Sequence, residues 1–177
     1  TSKKINLTKH TLNNPLKSHL STGFSYYDCQ TSDTRLTLLN AIDAKQRGAN
    51  VLTYTRCDQL EKYDNHWRAT LRSQDGTQYL VTAKVVINAT GPWADQFNQK
   101  IARLSIAPKL KLVQGSHIIL PQLYQGQHAY ILQHQDHRII FAIPYLNQFT
   151  LIGTTDIEFS GNPNDASITK DEINYLC

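Results

Sequence analysis

The chain has 177 residues, 40% of them apolar and 18% charged, with a formal net charge of +4. That composition suits an ordinary soluble chain of one or two domains and excludes collagen, a coiled coil and wholesale disorder. The longest apolar runs, Val85–Ala89 and Ile139–Pro144, fall far short of the ~18 residues that span a bilayer.

Residues 1–22 are polar, with Lys3, Lys4, Lys9 and Asn13-Asn14-Pro15 and no sustained period. They read as a loop or connector. Ser32 or Asp33 can cap a helix in which Leu38, Ala41 and Ile42 recur at helical spacing, and Gly48 suits its left-handed exit. A strand is expected at once over Asn50–Arg56, which would make half of a βαβ unit. Trp67–Leu71 and Tyr79–Thr82, joined through Asp75-Gly76, predict a β-hairpin. Lys84–Ala89 is apolar without alternation, as in a strand buried on both faces of a parallel sheet. It stops at Thr90-Gly91-Pro92, and Trp93–Ala102 has helical character.

Beyond Pro108 the texture changes. Lys111–Pro121, Ala129–Gln133, Arg138–Ile143 and Phe149–Gly153 predict an antiparallel sheet of four strands. Ser160–Asn164 reads as a loop, and Ser167–Cys177 begins another helix. The expected fold class is α+β or α/β, with a parallel layer followed by an antiparallel one.

Several familiar chemistries are missing. No two of the eight glycines fall in a G-x-G-x-x-G or G-x-x-x-x-G-K pattern. Cys29, Cys57 and Cys177 form no C-x-x-C pair, so a disulfide framework and a metal site are not expected, and the thiols read as reduced and cytosolic. No charged-then-apolar leader opens the chain, which argues against a signal peptide and leaves the sequons at Asn6 and Asn88 as chance matches. The weak, scattered positive charge is a poor argument for nucleic acid.

Four places can carry chemistry. Asn88-Ala-Thr-Gly-Pro-Trp93 lets the main chain approach a ligand closely, although alone it reads first as a packing turn. His117, beside Gly115 in an apolar strand, is a natural acid or base, histidine being the side chain that ordinarily titrates nearest neutrality. Its bland alternative is a histidine hydrogen-bonded within the sheet. Gly153-Thr154-Thr155-Asp156 offers hydroxyls and amides to a ligand, or simply ends a strand. His134 and His137 sit in a hairpin turn and read as solvated surface, with Arg138 at its edge.

The order of these pieces is more specific than any one of them. Tyr26-Tyr-Asp-Cys29, Asp33-x-Arg35-Leu36, Arg47–Leu52, Val86–Trp93, Gln114-Gly-Ser-His-Ile-Ile-Leu-Pro121, Phe141–Tyr145 and Leu151-Ile-Gly-Thr-Thr-Asp156 occur in series. Together they resemble the FAD-dependent, aerobic-type glycerol-3-phosphate dehydrogenases, within the D-amino-acid-oxidase-like flavoprotein group. The resemblance runs from about Gly23 to Leu176.

It implies oxidation of glycerol 3-phosphate to dihydroxyacetone phosphate with FAD as cofactor, electrons passing to quinone at the cytoplasmic face of the inner membrane. It assigns His117 as candidate base, Thr154 and Asp156 to the substrate, and main-chain atoms of Cys57 and the segment Ala89, Thr90 and Gly91 to the cofactor. Residues 26–105, with a hairpin over 66–82, would be part of the FAD-binding layer. Residues 106–177 would be part of the substrate-binding antiparallel sheet, and 1–25 a connector.

The glycine fingerprint that holds the pyrophosphate is absent, as are the family's phosphate-clamping arginine and lysine. The expectation is therefore an internal piece, inactive by itself, with uncovered faces that promote self-association. Two other readings stand beside it: a non-catalytic binding module, and another oxidase of the group acting on an amine or amino acid.

Overall fold

The computed structural model describes residues 2–10 and 15–177 and is α+β, combining helices with antiparallel sheets. Two compact units divide the chain: Gln30–Leu110, and Thr1–Cys29 together with Lys111–Cys177.

The first unit opens with helix α1 over Asp33–Gln46. Ser32 Oγ accepts the Arg35 N–H at 3.4 Å, and Asp33 places a negative charge at the positive end of the helix dipole. The exit uses Gly48 at φ +93°, a conformation that costs glycine little. Strands β3 (Thr55–Tyr63), β4 (His66–Ser73) and β5 (Gln78–Ala83) form an antiparallel sheet in that order. The β4–β5 turn is held by Asp75 Oδ1, which accepts the Thr77 N–H at 2.9 Å and the Ser73 hydroxyl. Between β3 and β4, Asp58 accepts from Arg56 and Arg72, and the two guanidiniums hold its carboxyl below the usual range.

The expected parallel strands do not appear here. Residues 50–54 and 84–90 are outside any ladder, and every ladder among the described residues is antiparallel. The physical reason is that a strand exists only through a neighbour. Val85 and Ile87 are 72% and 85% exposed, and Leu36, Leu38, Leu39 and Ile42 of α1 are exposed as well. Gly91–Ile101 then winds helically, starting as a 3-10 turn, with α2 at Ala94–Gln96 and a wider π turn over Phe97–Ile101. Asp95 accepts the N–H groups of Lys109 and Leu110 at 3.0 and 2.9 Å, closing the following loop.

In the second unit, the segment read as a connector contains strand β1 (Lys3–Asn6), antiparallel to β2 (Thr22–Ser25). One apolar residue, Ile5, among lysines gives no alternation to detect. Residues 1 and 11–14 of that segment lie outside the described residues. Strands β6 (Val113–Gln114), β7 (His117–Pro121), β8 (Tyr130–Gln133), β9 (Ile139–Tyr145), β10 (Phe149–Gly153) and β11 (Ile157–Glu158) follow. Four of them form one sheet in the order β7-β10-β9-β8, while β6 pairs with β11. The run expected as a single strand over Lys111–Pro121 thus breaks at Gly115-Ser116.

Helix α3 (Lys170–Leu176) begins with a capping box between Thr169 and Glu172. The core gathers Tyr124, Ala142, Ile152 and Leu176, with Ile118, Leu120 and Ile140 packed against them. Tyr124 keeps its hydroxyl satisfied at 2.9 Å from the carbonyls of His128 and Ala142, and burial pushes its pKa up to about 12.

Candidate functional site

Gly153, the last residue of β10, pairs directly with His117, the first of β7. The imidazole lies across Gly153, so that a Cβ there would overlap the ring. Thr154 Oγ1 lies against Gly115 in the same way, 2.6 Å from where a Cβ would stand. Two glycines therefore let two polar side chains settle on main chain at one end of the sheet. His117 is exposed and Thr154 half-buried. Thr154 donates its hydroxyl proton to the Thr155 carbonyl at 2.9 Å, leaving its oxygen able to accept.

A network the sequence reading missed lies behind these strand ends. Ser116 N–H donates to Thr155 Oγ1 at 2.8 Å, and Thr155 N–H returns to the Ser116 carbonyl at 3.2 Å. Both hydroxyls then donate to Glu172, which is 1% exposed. Burial by itself would raise the Glu172 pKa, but bonds from the Thr169 N–H and the Ser116, Thr155 and Thr169 hydroxyls outweigh it and hold the value at about 2. The pattern Thr169-x-x-Glu172 announces a helix cap, whereas nothing in it announces a carboxylate bridging the links before β7 and after β10.

Asp156 is exposed, and its charge helps to raise the Arg138 pKa, chiefly held up by Asp136. His134 and Arg138 belong to the docking of α3. The His134 ring stands 4.8 Å from that of Tyr175, Arg138 lies 3.8 Å above the same ring, and Asp136 accepts from both basic groups and from the Tyr175 hydroxyl. No group of three or more His, Cys, Asp or Glu among the described residues is arranged to hold a metal ion.

The residues assigned to a cofactor lie in the other unit. Cys57 sits at a bulge in β3, where its half-buried thiol donates to the Gln59 carbonyl at 3.3 Å and burial pushes its pKa up. Ala89, Thr90 and Gly91 are exposed. Asn88 organises them: its Oδ1 accepts the Thr90 N–H and hydroxyl, while its Nδ2 donates to Ala94 and Asn98 at 2.9 Å. Gly91 holds φ +57° with open space where a Cβ would stand. A small, open turn of this kind admits a ligand against main chain.

Comparison with known proteins gives this arrangement a family. The model for the family described as FAD dependent oxidoreductase matches residues 7–177. The chain belongs to that family. Among curated members, a glycerol-3-phosphate dehydrogenase of Pseudomonas aeruginosa is 46% identical over 95% of the chain and 33% of its own length. The aerobic glycerol-3-phosphate dehydrogenase of Escherichia coli K12 is 40% identical over 93% of the chain and 33% of its own. The D-erythritol 1-phosphate dehydrogenase of Brucella abortus is 36% identical over 92% and 32%. This FAD dependent oxidoreductase chain spans about a third of the length of the curated relatives it matches. Among its described residues no helix is long and apolar enough to cross a membrane.

Proposed function

We propose that this chain is an internal part of a flavin-dependent dehydrogenase that oxidises sn-glycerol 3-phosphate to dihydroxyacetone phosphate. The observation that carries the reading is the cross-strand cluster of His117, Gly153 and Thr154, in a chain 46% identical to a protein named for that activity. Bound FAD supplies the hydride acceptor for C2 and the route of electrons to quinone.

The chain's own residues manage the rest. His117, exposed on its glycine platform, accepts the proton of the C2 hydroxyl as the carbonyl forms. Thr154, its own proton committed to Thr155, accepts a hydrogen bond from a substrate hydroxyl and orients it. Asp156 shapes the link after β10. The cofactor part belongs to Gln30–Leu110, where main-chain atoms of Cys57 would hold the adenine and Ala89, Thr90 and Gly91 would line the nucleotide. Val51-Leu52 and Val85-Val86-Ile87, exposed, apolar and outside any ladder, suit strands of a parallel FAD-binding layer whose other members come from the rest of the polypeptide.

No glycine-rich loop at a helix start offers a pyrophosphate cradle in this sequence. The 177 residues alone are therefore inactive. In the complete polypeptide, the family resemblance supports a peripheral enzyme on the cytoplasmic face of the inner membrane.

Product analysis on the complete polypeptide tests the substrate. Dihydroxyacetone phosphate should form from sn-glycerol 3-phosphate faster than any ketone from D-erythritol 1-phosphate, and amino acids and amines should not react. Turnover of an amine or amino acid instead would place the chain with the other oxidases of its group. Binding of glycerol 3-phosphate without any flavin would make it a binding module.

A further inference from the structure

We propose that Glu172 is a positioning residue for this site, reaching from α3 to lock, through Ser116 and Thr155, the paired start of β7 and end of β10 that carry His117 and Thr154. Its role in the reaction rests on the dehydrogenase reading above; its hold on these strand ends does not.

Both carboxylate oxygens are fully used. Oε1 accepts the hydroxyls of Ser116 and Thr155, each at 2.7 Å. Oε2 accepts the Thr169 N–H at 2.8 Å and the Thr169 hydroxyl at 2.9 Å, and Gln114 Nε2 donates across the two at 3.3 and 3.1 Å. A helix cap needs only the contacts to Thr169. The others tie a helix to the link between β6 and β7 and to that between β10 and β11, 56 and 17 residues away along the chain.

The carboxylate also fixes the direction of every proton in the chain of bonds. Having none itself, it obliges Ser116 and Thr155 to donate. Thr155 Oγ1 is then an acceptor for the Ser116 N–H at 2.8 Å. Ser116 directly precedes His117, and Thr155 directly follows Thr154, so both ends of the candidate site hang from one buried carboxylate. An amide at position 172 keeps one acceptor where the carboxylate has two, so its NH2 would face either the Thr169 N–H or the two hydroxyls that now donate. The order of bonds would break at constant shape.

The test uses the complete, flavin-loaded polypeptide carrying Glu172→Gln, Thr155→Val or Thr155→Ser. The first two should slow flavin reduction by glycerol 3-phosphate by roughly ten- to a hundredfold, the scale on which a misplaced reacting group acts, while moving the substrate dissociation constant much less. Thr155→Ser, which keeps the hydroxyl, should recover most of that loss. A second readout needs no substrate: carbethoxylation of His117, followed by peptide mass spectrometry, should quicken in the first two variants while exposed His66 reacts as before. If that shift appears and glycerol 3-phosphate reduces no flavin even in the unmodified protein, the hold on the strand ends stands and the dehydrogenase reading falls. Unchanged His117 reactivity and unchanged reduction in folded Thr155→Val would overturn the proposal, and this variant carries the test should Glu172→Gln fail to fold.

Discussion

Replacing His117 by alanine in the complete polypeptide should slow single-turnover flavin reduction by roughly 10²- to 10⁴-fold, the range a well-placed general base supplies. Substrate affinity should change little, because the imidazole is asked to take a proton only as the C–O double bond forms. Removing an interaction made only in the transition state lowers the rate and the specificity constant together. The structure makes this variant clean to read. His117 is exposed and rests on Gly153 rather than filling the core, so its loss leaves no cavity among Tyr124, Ala142, Ile152 and Leu176. Reduction at the unmodified rate would remove the base from His117, and a large rise in the dissociation constant alone would make it a binding group instead.

The isolated 177 residues should self-associate and take up no stoichiometric FAD. In Gln30–Leu110, Leu60 and Ala102 are buried, while Leu36, Leu38, Leu39, Ile42, Val51, Leu52, Val85 and Ile87 are exposed. Apolar patches of that extent mark surfaces that expect a partner. The outer strands β3 and β5 add sheet edges to which another copy can add. Sedimentation over a range of concentrations should therefore show mass increasing with concentration, and visible absorbance after gel filtration should show no bound flavin. A clean monomer carrying one FAD per chain would mean that Gln30–Leu110 is a sufficient cofactor domain.

What could be read from residues alone followed local chemistry. Helix α1 was legible because a capping serine, a periodic run and a left-handed glycine stand in order, and the β4–β5 turn because Asp75-Gly76 supplies its own geometry. The four-stranded sheet was legible from regularly spaced strand-like segments, its order β7-β10-β9-β8 less so, since β10 inserts between strands distant in sequence. Strands over Asn50–Arg56 and Lys84–Ala89 were expected, yet a ladder needs a neighbour: only Thr55 and Arg56 of the first find one, as the antiparallel start of β3, and the described residues provide none for the second. Strand β1 escaped notice because one isoleucine among lysines carries no period.

At the candidate site, His117 and Thr154 were singled out as residue types beside glycines, and Gly153 and Gly115 prove to be the surfaces they lie on. Glu172 was invisible. A helix-capping pattern explains its presence fully, and only the fold shows where its second oxygen goes.

The most direct test of the account is anaerobic. The complete, flavin-loaded polypeptide is mixed with sn-glycerol 3-phosphate while the oxidised flavin band is followed. Bleaching is expected in a single turnover, with one dihydroxyacetone phosphate formed per flavin reduced. A band that stays unbleached by glycerol 3-phosphate but is lost on adding an amine or amino acid would contradict it.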